Sequence, residues 1–207
     1  MSTATDNAED GTVFLIDDDP SVRDSLTLLL SLKGLRTQAF ANAESFIDTY
    51  RPERSGCVLT DLRMPGMTGL ELQAALRERH IDVPVVVLTA HGDVATARAA
   101  LKNGAFDFIE KPADDAMLLE VLRNALRVEH ERRTAASTRT DTDQRLQRLT
   151  GREREILALI AAGHPNRDVA VKLGISPRTV EVHRARIMEK LECSSLAELI
   201  SMNRAAG

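Results

Sequence analysis

Four short apolar runs, each ending abruptly on a polar group, constrain this chain more than any other feature. Cys57-Val58-Leu59-Thr60 leads into Asp61 and then into a stretch broken by Pro65, Gly66 and Gly69. Thr12 to Ile16 runs into Asp17, Asp18, Asp19 and Pro20; Pro84 to Leu88 ends at Thr89; Phe106 to Ile109 ends at Glu110, Lys111 and Pro112. Runs this short and this apolar suit strands of a parallel sheet buried on both faces, with the breakers returning the chain to helices. If the four strands are parallel, Asp17, Asp18, Asp61, Thr89 and Lys111 converge on the carboxyl edge, where open α/β sheets bind ligands. An Asp after a strand is also an ordinary loop cap. The companions of Asp61 are what set it apart.

Helix-like stretches alternate with these runs. Asp19-Pro20 offers a cap and a first helical residue, and Val22, Leu26, Leu29 and Leu30 follow at helical spacing. Leu35 to Phe40 supplies a second strand after Gly34, and Leu118, Val121, Leu122 and Ala125 form one stripe on a last helix. The fold class expected is α/β, a flavodoxin-like doubly wound five-stranded parallel sheet in the order 2-1-3-4-5 with right-handed crossovers.

Clustered carboxylates repel one another unless a cation holds them, and an oxygen-only donor set suits Mg²⁺. Such a site looks built to take up a phosphoryl group: a carboxylate oxygen attacks, the Lys111 ammonium and Mg²⁺ neutralise phosphoryl charge, and the Thr89 hydroxyl donates to one oxygen. Ile16-Asp-Asp-Asp19, Thr60-Asp-Leu-Arg-Met-Pro-Gly66, Leu88-Thr-Ala90 and Glu110-Lys-Pro112 resemble the receiver domain of bacterial two-component response regulators in order and approximate spacing. That resemblance implies Asp61 as phosphoacceptor, Asp18 and Asp61 as direct Mg²⁺ ligands, Asp17 acting mainly through water, and the Arg63 carbonyl completing the protein's share. It further implies Thr89 and Phe108 as a switch pair, Lys111 as the phosphate-binding lysine and a cis Lys111-Pro112 bond. The receiver would assist only its own phosphotransfer and dephosphorylation, so no enzyme is expected. A haloacid-dehalogenase-type phosphotransferase also uses a strand-end Asp with Mg²⁺, but it requires a second Asp two residues on, where Arg63 stands.

Charge divides the chain. Up to Ala125 there are 12 basic and 20 acidic residues; afterwards there are 15 basic and 11 acidic. A basic rear within an acidic protein is the footprint of a nucleic-acid-binding module, although a solvated surface gives the same count. No run approaches the ~20 apolar residues of a membrane span, and the first ten residues lack the basic and apolar regions of a secretory signal. Cys57 and Cys193 read as ordinary thiols, and His80, His91, His130, His164 and His183 show no paired ligand spacing. A cytoplasmic location is expected.

Between Val128 and Leu146 large apolar residues nearly vanish, which leaves either an extension of the preceding helix or a flexible tether. From Leu149 four short helices are expected. Thr150 with Glu153 forms a capping box, Gly163 ends that helix, Asn166 can cap a second, and Gly174-Ile175-Ser176-Pro177 makes a turn into a third. A helix, a Gly turn and a helix make a helix-turn-helix, though any small bundle could share the pattern. From Pro177 to Leu191, Val180, Ile187 and Leu191 fall on one stripe while Arg178, Glu181, Val182, Ala185 and Arg186 face the other way. Exposed Val, Ala, Glu and Arg fit contact with base edges and phosphates.

Leu149-Thr-Gly-Arg-Glu-Arg-Glu155, Asn166 and Ile175-Ser-Pro-Arg-Thr-Val-Glu-Val-His183 resemble the LuxR-type DNA-binding domain, and the whole chain resembles a NarL/FixJ-type response regulator, nearest the FixJ branch. The resemblance implies base contacts from Glu181, Val182 and Ala185. Arg178, His183 and Arg186 are candidates for phosphate contact, with Thr179 also in the DNA-binding set. Glu198, Leu199 and Met202 fall on a terminal helix that pairs two such domains. The expected organisation is a disordered 1–10, a receiver over 11–125, a partly helical linker over 126–148 and a helix-turn-helix domain over 149–207. Implied partners are a sensor histidine kinase, double-stranded promoter DNA, RNA polymerase and, on phosphorylation, a second copy of the chain. The alternative is a receiver whose helical output domain binds protein or RNA.

Overall fold

The computed structural model describes residues 11–90 and 94–205, with the side chains of Val94 and 203–205 excepted. The tail expected to be disordered over 1–10, and His91, lie outside them. The chain divides into two compact units, which meet in sequence between Arg133 and Thr134.

In the first unit, five strands alternate with helices: β1 (Thr12–Ile16), α1 (Pro20–Leu32), β2 (Arg36–Phe40), α2 (Ala43–Thr49), β3 (Gly56–Thr60), α3 (Gly69–Glu78), β4 (Val85–Thr89), α4 (Val94–Lys102), β5 (Asp107–Glu110) and the first part of α5 (Asp115–Gln147). All pairings are parallel and the strand order is β2-β1-β3-β4-β5, as the apolar runs implied. Alternate residues serve two cores. Val13, Leu15, Cys57, Leu59, Val86 and Leu88 face a layer with Leu30, Leu118, Leu122 and Leu126. Phe14, Ile16, Val58, Val85 and Val87 face the opposite layer with Phe46, Leu72, Leu76 and Ala100. Burial on both faces explains why these strands read as unbroken apolar runs. Burial and, secondarily, the Glu129 charge push the Cys57 thiol up to about 12, which makes it inert at neutral pH.

Asp19 caps α1 as its position before Pro20 suggested, accepting from the Ser21 N–H at 2.8 Å. Residues 126–147 of the stretch expected to be a partly helical linker are helical throughout, as part of α5, which crosses the Arg133–Thr134 division. Charged groups rather than apolar ones hold its early part. Glu129 is fully buried and accepts from Arg132 at 2.9 and 3.1 Å and from Arg133. Arg133 also donates to the carbonyls of Pro52 and of Arg54, the latter at 2.9 Å, and Arg132 pairs with Asp82 at 3.0 Å. A carboxylate buried this far is costly unless it is paired and hydrogen-bonded, and two guanidinium groups meet that need here.

The second unit contains α6 (Gly151–Ala161), α7 (Asn166–Leu173), α8 (Pro177–Leu191) and α9 (Leu196–Ala205) around Leu149, Ile156, Leu157, Ile160, Val169, Val180, Ile187, Leu191 and Leu199. Thr150 and Glu153 form the expected capping box, Ser176 caps α8 with Pro177 behind it, and Gly163 and Gly174 take positive φ where helices end. One expectation fails. Asn166 does not cap α7; Pro165 occupies that position without a side-chain bond, and the Asn166 amide oxygen instead accepts from Arg184 of α8 at 2.8 Å. Leu199 is also committed inward, fully buried in this unit's own core.

Glu153 gives the second unit a pH dependence. A hydrogen bond from Lys190 at 2.7 Å and another from the Thr150 N–H at 2.7 Å hold its carboxyl down at about 2. A depressed carboxyl contributes stability that is present above its unfolded value, near 4.5, and is lost as pH falls toward 2. Denaturant melts read on the amide resonances of Leu149–Leu199 are expected to show Glu153→Gln less stable than wild type at pH 7, with the gap closing between pH 4.5 and 2. A gap independent of pH would contradict this assignment.

Candidate functional site

Strand register builds the site. Ile16 lies opposite Thr60, so the next residues, Asp17 and Asp61, leave the sheet side by side, and the Asp61 N–H donates to the Ile16 carbonyl at 2.9 Å. On the other side Thr89 lies opposite Glu110, and the Lys111 N–H donates to the Thr89 carbonyl at 2.8 Å. The Lys111-Pro112 bond is cis, as expected. From this position the Lys111 ammonium reaches Asp17 Oδ2 at 3.0 Å and Asp61 Oδ1 at 3.8 Å.

The two carboxylates are shielded unequally, with side chains 5% exposed for Asp17 and 13% for Asp61, so Asp61 is the more accessible of the two. Asp17 is held on every side: its Oδ1 accepts from the Asp19 N–H at 3.0 Å and its carbonyl from Arg23 at 2.7 Å. Asp61 Oδ2 accepts from the Arg63 N–H at 3.1 Å. Thr89 is fully buried, and Phe108 is half-buried against the core beneath α3 and α4. Asp18 is exposed.

The donor set fits Mg²⁺, which keeps several waters and needs only one or two carboxylates. Asp17 and Asp61 already share one positive charge, the ammonium between them, which offsets their mutual repulsion. Asp18 is not drawn in with them; among the described residues no three His, Cys, Asp or Glu side chains stand close enough together to hold a metal ion.

Several supporting residues escaped the sequence reading. Thr68 and Glu71 form a second capping box that starts α3, and Glu44 of α2 accepts from the Met67 N–H at 3.0 Å. Gly69 lies against the Asp61 backbone, and its N–H donates to the Leu62 carbonyl at 3.0 Å. Thr68 with Glu71 matched a readable pattern; Gly69 was read as a breaker but opens α3, and its approach to Asp61, like the Glu44 contact, acts across space and left no trace.

In the second unit, α8 buries Val180, Ile187 and Leu191 and exposes Arg178, Glu181, Val182, Ala185 and Arg186. Val182 is 41% exposed, an apolar side chain set among the charged groups of this face. Arg178 and Glu181 pair at 2.9 Å on the exposed face. Thr179 is half-buried beside the Ser176 cap. His183 is half-buried with Nδ1 enclosed and unpartnered, so its ring is less open to a phosphate than Arg178 or Arg186. Arg184, which the sequence reading passed over, ties α8 to α7 through Asn166.

A parallel sheet with an acidic carboxyl edge and a returning lysine, joined in one chain to a helix-turn-helix, defines a response regulator. Residues 13–123 match the response regulator receiver domain family and residues 147–203 the bacterial regulatory proteins of the luxR family. The transcriptional regulatory protein FixJ of Azorhizobium caulinodans is 44% identical over 94% of this chain and 92% of its own. FixJ of Rhizobium meliloti is 42% identical over 96% and 97% respectively. The low-resolution structure of the response regulator StyR superposes with a TM-score of 0.85 at 42% identity, covering 94% of this chain and 98% of that one. The chain belongs to the FixJ-like response regulators, phosphorylation-dependent transcription regulators with a LuxR-type DNA-binding domain, and it is not an enzyme.

Gly69 offers a test of how tightly the site is built. A Cβ there would stand 2.5 Å from the Asp61 carbonyl oxygen and 3.2 Å from the Leu62 Cα, both backbone atoms that cannot swing aside. Gly69→Ala is expected to cost roughly 1–3 kcal/mol in chemical denaturation and to displace the Asp61–Arg63 amide resonances. Wild-type stability with unshifted resonances would show that the loop yields freely.

Proposed function

We propose that Asp61 accepts a phosphoryl group from a sensor histidine kinase and that this modification controls binding of promoter DNA by α8. The observation that carries the reading is the Lys111 ammonium lying between Asp17 and Asp61 at the strand edge, 3.0 and 3.8 Å away. In the transfer a bond forms from an Asp61 carboxylate oxygen to phosphorus as the bond from phosphorus to the kinase imidazole nitrogen breaks. Lys111 pairs with the phosphoryl oxygens, and the Thr89 hydroxyl donates to one of them. Asp61, Asp18 and the Arg63 carbonyl, with Asp17 acting mainly through water, would hold Mg²⁺, which when bound neutralises charge on the phosphoryl oxygens. No helix among the described residues is long and apolar enough to cross a membrane. We place the protein in the cytoplasm, with its kinase, its DNA and RNA polymerase as partners.

Movement of Thr89 toward the new oxygens frees space for the half-buried Phe108 ring, changing packing in a discrete step beneath the face of α4 and β5. Arg98 and Leu101, the latter 49% exposed, lie in that helix, together with Val94, whose side chain is outside the described residues. A receiver dimer formed there joins two DNA-binding domains and raises the effective concentration of the second. Leu199 is committed to its own core, so any pairing through α9 uses other residues, Glu198 and Met202 among them.

Glu181, Val182 and Ala185 specify sequence in this reading, while Arg178 and Arg186, with Thr179 and His183 at the margin, hold the backbone. With a small-molecule phosphodonor and Mg²⁺, intact-mass spectra are expected to show one phosphoryl group on wild type and none on Asp61→Asn; equal labelling of the variant would move the acceptor elsewhere. On duplex DNA, Val182→Ala is expected to cost on the order of 1 kcal/mol at the preferred site and little on random sequence. Arg178→Ala or Arg186→Ala is expected to weaken both equally and reduce the salt dependence by about one unit of slope. Unchanged affinity in all three variants, or preference for RNA over duplex DNA, would remove α8 from the major groove.

A further inference from the structure

β1 ends at Ile16, and each polar group of the next residue is taken by a different partner. The Asp17 N–H donates to the Phe40 carbonyl at 3.2 Å, Oδ1 accepts from the Asp19 N–H at 3.0 Å, and Oδ2 accepts from the Lys111 ammonium at 3.0 Å. The Asp17 carbonyl accepts from Nη1 of Arg23 at 2.7 Å. Sheet, loop and lysine account for the first three bonds. The fourth comes from a cation on α1 to which the phosphotransfer set out above gives no part.

Arg23 is itself firmly placed. It stands one turn into α1, half-buried, and its N–H donates to the carbonyl of Asp19, the capping residue, at 3.0 Å. The oxygen it grips belongs to the planar peptide joining Asp17 to Asp18, so holding that oxygen holds the plane and with it the point from which Asp18 leaves the chain. A hydrogen bond from a charged donor is shorter and stronger than one between neutral groups, and 2.7 Å fits that class. Attraction does not explain the guanidinium, because a fixed cation beside Asp17, Asp18 and Asp19 repels a metal ion. Its charge and its hydrogen bond therefore act on Mg²⁺ binding in opposite directions.

We infer that Arg23 is a positioning residue for Mg²⁺ uptake: by fastening the Asp17 carbonyl it fixes the Asp17–Asp18 peptide, so that both carboxylates approach the ion from set points, and this outweighs the repulsion its charge adds. Mg²⁺ demands near-octahedral geometry and tolerates misplaced ligands poorly, so a loose peptide between two acidic residues costs affinity. Residues that orient metal ligands without touching the ion contribute about as strongly as many ligands do. The inference rests on the reading that Asp61, Asp18 and the Arg63 carbonyl, with Asp17 through water, take up Mg²⁺.

The test titrates the full-length protein, labelled with ¹³C and ¹⁵N and free of phosphodonor, with MgCl₂ and follows the amide resonances of Asp17–Asp19 and Asp61–Arg63. Wild type is expected to show saturable shifts, and Arg23→Met the same shifts at about tenfold higher Mg²⁺. Arg23→Lys, which keeps a cation and an N–H donor, is expected to recover part of the loss. Arg23→Gln, too short to reach the carbonyl, is expected to match Arg23→Met and replaces it if that variant does not fold. The Asp17 carbonyl ¹³C resonance reads the bond itself: it should move upfield in the Met or Gln variant and return toward wild type in Arg23→Lys, which a general loss of stability would not produce. Equal or tighter Mg²⁺ binding by the Met or Gln variant, an unmoved Asp17 carbonyl resonance, or no recovery in Arg23→Lys would overturn the inference while leaving the Mg²⁺ site in place. Absence of saturable shifts in wild type would overturn the site and the inference together.

Discussion

The parallel pairing of β1 with β3, and of β4 with β5, is the constraint on which the rest of the first unit depends. Because every strand runs the same way, every strand end opens on one edge, and residues far apart in sequence meet there without any loop having to reach. The pairing of Ile16 with Thr60 fixes the spacing of Asp17 and Asp61, and that of Thr89 with Glu110 delivers Lys111 to both carboxylates. A one-residue slip would turn the alternate side chains of β3 into the wrong core, so the two apolar layers that stabilise the sheet also enforce the geometry of the site.

Much of this was legible because it rests on local chemistry. Strands buried on both faces leave uninterrupted apolar runs, and Asp19-Pro20, Ser176-Pro177 and Thr150 with Glu153 follow capping rules that operate within a few residues. What escaped depends on distance. Asn166 was read as a cap from its place before α7, yet Arg184 of α8 claims its oxygen across the helix pair. Glu129, Arg132 and Arg133 fall in the stretch read as a linker because it lacks large apolar residues; they form a buried carboxylate clamped by two guanidinium groups onto Asp82 and the carbonyls of Pro52 and Arg54. Charge patterns alone do not distinguish a solvated face from an internal ion cluster, because only the partner residues reveal which it is.

The second unit applies the same economy to a helix. Alternation on α8 gives one face to the core through Val180, Ile187 and Leu191 and leaves Arg178, Glu181, Val182, Ala185 and Arg186 outward. The outward residue types had marked it as a reading face, but the fixing of its position depends on Arg184 with Asn166 and on Lys190 with Glu153, both contacts to other helices. A recognition helix needs such anchors, since small misplacement of a rigid reading face moves all of its contacts together.

Control of this protein by phosphorylation rests on the identity of the residue that carries the phosphoryl group. Borohydride reduces an acyl phosphate to the alcohol, so reduction of the protein after incubation with a phosphodonor and Mg²⁺, followed by peptide mass spectrometry, marks the acceptor directly. Homoserine is expected in place of aspartate at position 61 and nowhere else. Homoserine at Asp17 or Asp18, or a phosphoryl group retained on a histidine, would contradict it.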